Sequence, residues 1–490
     1  VALAGLSGAT ATIVGSGSGT QASIDLGGGT RNLSVADAAA AIDLAANVPI
    51  KNGALTKSGL GTMSLGAVNT LSGATTITDG ILQVTANNQL GSSVVTSETV
   101  TTPAVAGHGG TLQLTGNVSY DLPMTIGGAG VNGISITPPG IAGALDSASG
   151  ANTWAGNITL IGGGTNGSDP TINQISAAAG STLVLSGVIQ DGGVSASLAK
   201  SGGGDVVLSG SSPNTYSNLT RVYGGRLIIE KDGALGSAGS TTGASGNTFQ
   251  LANSNSVIAF RAPPASAGFR YGTFEWINLD GNGAGSLGQL DNLGGNNTFA
   301  GNIGLAGPTI DGNINAYLGV SAGSLELAGG IYARGTTGQR ILNKLGAGTL
   351  IISGDSAPVS ENMLNVALTD STFNINAGAV ELRGPAATTT NLPGVTTWNV
   401  NAGAALNSSS GMFITGAVNV NSGGVYNFIG GATNIASLNV NDGAVNVLPG
   451  GKTLRVNSID ISGGGKINLS NNRMIVDYAG ASPSGSWNGS

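Results

Sequence analysis

Along almost the whole chain, short runs alternate apolar and polar residues and are broken by Gly, Asn, Asp or Ser. Thr111-Leu112-Gln113-Leu114-Thr115, Ser181-Thr182-Leu183-Val184-Leu185, Ser324-Leu325-Glu326-Leu327 and Arg455-Val456-Asn457-Ser458-Ile459-Asp460-Ile461 are examples. Side chains alternate across a strand, so each run reads as a strand with one face turned inward. Helical periodicity is confined to one short candidate, Val35-Ala36-Asp37-Ala38-Ala39-Ala40-Ala41-Ile42. The pattern predicts an all-β protein.

The alternation is itself periodic. Asn-Val-Asn recurs at 399–401, 419–421 and 439–441, a spacing of 20, followed by Gly403, Gly423 and Gly443. Looser copies lie at Asn374-Ile375-Asn376-Ala377-Gly378 and Ile459-Asp460-Ile461-Ser462-Gly463. A period near 20 suits one coil of a β-solenoid. Val400, Val420 and Val440 then stack inside, while the flanking asparagines face outward and form hydrogen-bonded ladders. A longer period overlies this one. Lys57-Ser58-Gly59-Leu60-Gly61-Thr62-Met63-Ser64-Leu65 is echoed from Lys200 and again from Lys344, 143 and 144 residues on. Asn152-Thr153-Trp154-Ala155-Gly156-Asn157-Ile158 returns as Asn297-Thr298-Phe299-Ala300-Gly301-Asn302-Ile303, a spacing of 145. Two unrelated markers imply an internal duplication of about 144 residues, with about seven coils of about 20 residues in each block. The fold expected is a right-handed parallel β-solenoid, its hand taken from the general rule for parallel crossovers. Residues 1–56 form an N-terminal strand segment and first coils, 57–199 and 200–343 two solenoid blocks, and 344–490 regular C-terminal coils and a cap. The three lysines should occupy equivalent positions in separate coils.

Composition narrows the classes. Of 490 residues 86 are Gly, which fits a chain full of tight corners, and only 8% are charged. With 40% hydrophobic residues and a mean hydropathy of +0.21, the chain has enough apolar surface to fold. A net charge of −7 argues against nucleic acid, whose phosphates need a basic face. There is no Cys and one His, His108, which excludes disulfides and thiolate or multi-histidine metal sites. No cofactor is expected. No stretch approaches the roughly 18 apolar residues of a membrane span. The chain starts at Val1 rather than Met, so either a leader has been removed or the chain is a fragment, and a cleaved secretory signal is the simpler expectation.

The Lys57 segment, continued through Asn69-Thr70-Leu71-Ser72-Gly73 to Asp79-Gly80-Ile81-Leu82-Gln83-Val84, resembles the autotransporter-associated β-strand repeat. The second copy matches through Leu208-Ser209-Gly210, Asn214-Thr215-Tyr216 and Gly225-Arg226-Leu227; the third matches only at its start, through Ser353-Gly354. The resemblance implies a β-helical passenger region, secreted to the exterior or surface of a bacterium, and brings no catalytic residues. The stretch Gly465–Tyr478 also looks like the closing segment of such repeat proteins. No run long enough for an outer-membrane barrel follows it.

Catalysis on a solenoid needs clustered carboxylates. The densest group is Glu275, Asp280 and Asp291 with Arg261 and Arg270, and it reads more simply as a polar loop. Gly202-Gly203-Gly204-Asp205 resembles a calcium-binding turn but lacks repeated nonapeptides. The segment 254–295 interrupts the repeat and gathers Phe260, Arg261, Phe269, Arg270, Tyr271, Phe274 and Trp276, a candidate surface for a partner or glycan; the alternative is that its rings cover a groove on the solenoid wall. The first 29 residues hold one charged side chain, Asp25, and no Pro, with strand-like runs around Ile13, Val14, Ile24 and Leu26. Unprotected strand edges template pairing with another chain. The expected function is a non-catalytic extracellular structural protein, a head-to-tail homopolymer in a filament, sheath or surface layer. The alternatives are an adhesin binding cell-surface or matrix polysaccharide, and a polysaccharide lyase or hydrolase.

Overall fold

The computed structural model describes residues 2–477 except 4–7, 16–21, 93, 99–108, 132–141, 162–163, 167–168, 238–246, 253, 284–286, 308, 311–312, 335–338, 355–364, 367, 385–391, 393, 410–413 and 431–434. Every described regular element is a strand. The chain forms two compact units, Val1–Ser240 with Ala244–Leu251, and Ala252–Ser490 with Thr241–Gly243. His108 lies outside the described residues.

In the first unit, successive strands step between sheets while each sheet grows by parallel pairing, which is the winding of a parallel β-solenoid. One sheet runs through Ala2–Leu3, Thr30–Val35, Ala54–Ser58, Thr75–Ile77, Val95–Glu98, Met124–Gly127, Ile158–Leu160 and Ile189–Asp191. A second begins at Ala11–Ile13 and passes through Thr62–Leu65, Gly80–Val84 and Ser197–Ser201; a third begins at Ser119–Tyr120 and reaches Gly225–Ile229. Side chains such as Leu55, Met63, Leu82, Leu112 and Trp154 fill the interior. Gly164–Asn166 is an antiparallel excursion on Asp169–Ala177.

Two expectations are corrected here. The strand bearing Lys57 is in the first sheet and the strand bearing Lys200 in the second; from Ala54–Ser58 the first sheet advances five strands to Ile189–Asp191, and the next strand is Ser197–Ser201. The 143-residue step is therefore five coils and one further face, not seven coils. The coils here are longer than 20 residues: the register partners Val95 and Met124 are 29 residues apart, and Met124 and Ile158 are 34 apart. The Val35–Ile42 run is not a helix, because Val35 ends the strand Thr30–Val35 and the following residues bend around Asp43. Its carboxylate accepts the N–H groups of Ala38 (2.9 Å) and Thr62 (2.7 Å), an arrangement in which a side chain takes backbone donors away from a helix.

The second unit has the same architecture. One sheet runs from Ser256–Arg261 through Ile341–Leu345, Ser371–Ile375, Val395–Val400, Ala417–Val420 and Ser437–Asn441 to Ile459–Ser462. Its neighbour runs from Arg270–Tyr271 through Thr349–Ile352, Gly378–Leu382, Ala404–Ser408, Val425–Phe428 and Ala444–Val447 to Lys466–Asn468. Val400 pairs with Val420 and Val420 with Val440, and all three are fully buried. Here the period of 20 is literal, and parallel neighbours lie about 4.8 Å apart.

Candidate functional site: ammonium-capped turns and amide ladders

Each of the three lysines sits inside the wall beside a tight turn, almost without solvent exposure. Lys57 Nζ donates to the carbonyls of Ser58 (3.2 Å), Gly59 (2.7 Å) and Asp79 (2.9 Å). Lys200 Nζ donates to Gly202 (2.7 Å), Gly204 (2.7 Å) and Gly224 (2.6 Å). Lys344 Nζ donates to Leu345 (2.8 Å), Gly346 (2.8 Å) and Ala377 (3.1 Å). An ammonium has three donors, and three carbonyls satisfy it. The turn that follows needs a left-handed residue: Gly59, Gly202 and Gly346 have φ of 75°, 75° and 77°, and a Cβ on each would run into the carbonyl of Val35, Ala177 or Val320 of the adjacent coil. The three local folds are alike, but their strands belong to three different sheets, so the lysines share a turn and not, as the spacing predicts, an equivalent position around the coil.

Burial is the largest influence on these amines and pulls Lys57 and Lys344 down to about 8 and Lys200 to about 7. Asp79 and Asp43 oppose this at Lys57, Asp291 at Lys344 and Asp205 at Lys200. The Gly202–Asp205 turn is thus no calcium loop. The carbonyls of Gly202 and Gly204 already hold the chain's own cation, and Asp205 takes the Arg226 guanidinium at 2.7 and 2.5 Å.

The repeat's asparagine closes the other side of the coil. Asn69 Oδ1 accepts the Ile50 N–H (2.7 Å), and Asn214 Oδ1 accepts the Ile189 N–H (3.0 Å) while its Nδ2 donates to Ala234 O (2.6 Å). Sequence reasoning missed Arg340, which plays the lysine's part without the motif: nearly fully buried, it donates to the carbonyls of Leu305 (2.9 Å), Gln339 (2.7 Å) and Arg334. Nothing repeats around Arg340, so spacing gave no signal.

The aromatic segment is corrected from a recognition surface to interior packing for most of its rings. Phe260, Tyr271 and Trp276 are buried. Phe260 lies 5.5 Å from Phe299 and 6.2 Å from Phe269, and Trp276 lies 5.3 Å from Tyr332. The rings fill coil interior, because Phe299 stands where Trp154 stands in the earlier marker, both on inward strand positions. Phe269, Phe274 and Arg261 are half-buried and only Arg270 is exposed, so no ring patch forms. The acidic group is likewise absorbed into structure. Asp280 pairs with Arg334, and Asp291 accepts from Ser321 N (3.0 Å) and Oγ (2.7 Å). Glu275 has no solvent exposure.

At the N-terminus, Ala11–Ile13 pairs with Leu44–Ala46 and Ile24–Asp25 with Ile50–Lys51, leaving the first coil at the edge of its sheets. Ile13 and Ile24 are half-buried and Val14 is 63% exposed. Leu26, at 2% exposure, covers its own core and is no contact residue.

In the second unit the outward asparagines form the expected ladders. Asn399 Nδ2 donates to Asn374 Oδ1 (2.8 Å), Asn419 to Asn399 (2.7 Å) and Asn439 to Asn419 (2.8 Å). On the neighbouring sheet Asn427 donates to Asn407 (2.8 Å) and Asn446 to Asn427 (3.0 Å). Among the described residues no group of three or more His, Cys, Asp or Glu is placed to hold a metal ion, and no helix is long and apolar enough to cross a membrane.

No solved structure matches the chain. A stretch of 205 residues, 39% of the chain, is 30% identical to the protein named adhesin BmaC autotransporter of Brucella suis biovar 1 (strain 1330), and covers 6% of that much longer protein. The passenger-associated-transport-repeat matches residues 55–84, 198–229 and 342–357, which hold Lys57, Lys200 and Lys344. The chain therefore carries the passenger-associated-transport-repeat at three places in a parallel β-solenoid.

Proposed function

We propose that this chain is a non-catalytic stalk segment in the passenger of a bacterial surface adhesin. The observation that carries the reading is the ammonium-capped turn. The cations of the repeat are consumed inside the wall, each holding three carbonyls of a coil corner, in the three stretches that match the passenger repeat. Such corners make a stiff spacer rather than a reactive cleft. Antibodies raised against the chain should label intact cells of the bacterium that makes it; labelling only after permeabilisation overturns the surface reading. Incubation with polysaccharides should release no new reducing ends, and their release overturns the non-catalytic reading.

A second reading, the homopolymer, rests on the strands that end the sheets among the described residues. The first coil offers the edge strands Ala11–Ile13 and Ile24–Asp25, and the last offers Ile461, an inward position left 50% exposed. Heterologous contacts of this kind do not close and extend into filaments. Deleting residues 1–29 should abolish fibres seen by electron microscopy; a full chain monomeric at high concentration contradicts the homopolymer.

A further inference from the structure

The rings that sequence reasoning offered to a glycan are interior, so a glycan-binding surface has to lie elsewhere. In the second unit, one sheet carries two outward columns in strict register. The first is Ala379, Ala405, Val425 and Ala444; two residues along each strand is Glu381, followed by Asn407, Asn427, Asn446 and Asn468. From Ala405 and Asn407 to Ala444 and Asn446 every member is half-exposed, and none is charged. Charge returns only at the borders, with Glu381 and Arg383 on one side and Lys466 on the other. The interior partners Leu406, Tyr426 and Val445 are fully buried and hold the strands in place.

Asn427 spends one N–H on Asn407 (2.8 Å) and one lone pair on Asn446 (3.0 Å), so Asn407 gives up one lone pair and Asn446 one N–H. An amide has two donors and two acceptor sites, so at least one donor and one acceptor per coil remain for a ligand. They recur about every 4.8 Å along the stack. Beside them runs a strip of methyl and isopropyl groups. A uniform row of paired donor and acceptor flanked by a shallow apolar strip, without charge, matches a partner that is itself periodic, neutral, hydroxylated on its edges and C–H-rich on its faces. A charged partner gains nothing from it, and desolvating a charged group here is costly. We propose that this sheet face binds a neutral linear polysaccharide laid along the coils. The proposal rests on the adhesin reading and names the chemical class of its target.

The test is retention of the full chain on insoluble cellulose and chitin, and retardation in gels containing soluble neutral mannan, with alginate as the anionic control. Val425→Arg puts a charge and bulk in the middle of the apolar strip while leaving the buried Tyr426 and the ladder asparagines untouched. Thr159→Arg, on an outward position of the other unit, is the matched control. Retention on at least one neutral polymer, weakened tenfold or more by Val425→Arg and unchanged by Thr159→Arg, with both variants keeping the wild-type circular dichroism, supports the proposal. No retention on any neutral polymer, retention on alginate alone, or retention indifferent to Val425→Arg overturns it. Surface labelling of intact cells reads the stalk separately, so failure of the glycan site and failure of the adhesin reading are distinguishable.

Discussion

Replacing Lys200 by Met keeps the stem of the side chain and removes the ammonium, so it isolates the capping of the turn. Lys200 is 1% exposed and its Nζ holds three carbonyls at 2.6–2.7 Å. A buried carbonyl left without a donor costs about 1–3 kcal/mol, which puts the loss for three at roughly 3–9 kcal/mol. Against this, methionine no longer buries a charge, a penalty that runs to several kcal/mol. The lowering of this amine to about 7 shows that the penalty is substantial here. The balance expected for Lys200→Met is a loss of about 2 kcal/mol, equivalent to roughly thirtyfold easier opening of the corner. In a solenoid each coil contacts only its neighbours, so the loss is local and a global melting temperature blunts it. Native-state hydrogen exchange reads it directly. The N–H groups of Gly204, Asp205 and Arg226, which bond to Ala177, Ser181 and Gly204 at 2.9, 3.0 and 3.1 Å, should exchange about thirtyfold faster, with little change in the second unit. Unchanged or slower exchange at these amides would refute the reasoning, because hydrophobic filling would then equal or exceed the ammonium cage.

Lys231 gives the pH counterpart: among the described residues it meets the Asn214 amide oxygen at 3.0 Å and, at a long 3.5 Å, Gly187 O, and burial lowers it to about 8. With the folded value below the unfolded one, the unfolded chain holds a proton that the native chain lacks between pH 8 and about 10.5. Stability therefore rises with pH in that window by up to about 1.4 kcal/mol per unit. Urea unfolding of wild type minus Lys231→Met should show that slope, and a flat difference contradicts it. Asn419→Ala removes two ladder bonds and should cost about 1–2 kcal/mol, seen as faster exchange in the strands Val395–Val400 and Ser437–Asn441. Phe299→Ala should cost about 3–5 kcal/mol in denaturant unfolding, whereas Arg270→Ala, at an exposed position, should leave stability unchanged; the reverse order would restore the aromatic segment as a surface.

The fold was legible where the coil is shortest. Around Val400, Val420 and Val440 the period of 20 is the coil, so alternation and repeat point to one register, and the asparagine ladders follow from the same arithmetic. In the first unit the same motif spacing hid the coil number, because coil length varies, 29 residues from Val95 to Met124 and 34 from Met124 to Ile158, and the spacing of Lys57 and Lys200 sums over unequal coils. The lysines were found as markers and their chemistry was not, since nothing in a Lys-x-Gly pattern says that the ammonium turns back onto its own corner. Composition misled at Phe260, Tyr271 and Trp276. Aromatics gathered beside Arg261 and Arg270 resemble a binding patch in a one-dimensional chain, but Ser256–Phe260 is buried at every position, and Phe260 packs there against Phe299, which alternation along Asn296–Phe299 turns inward.

Because the chain has no cysteine, introduced pairs test the parallel, in-register winding most directly. Thr397 and Ala417 are outward register partners in adjacent coils, and partners about 4.8 Å apart lie within the Cα range of a disulfide. Under mild oxidation the double variant Thr397→Cys with Ala417→Cys should close an intramolecular disulfide, lose about 2 Da in intact mass and become inaccessible to thiol reagents. Thr397→Cys with Ser437→Cys, two coils apart, should stay reduced. Bridging of the two-coil pair, or free thiols in the adjacent pair, would contradict a parallel β-solenoid with a 20-residue coil.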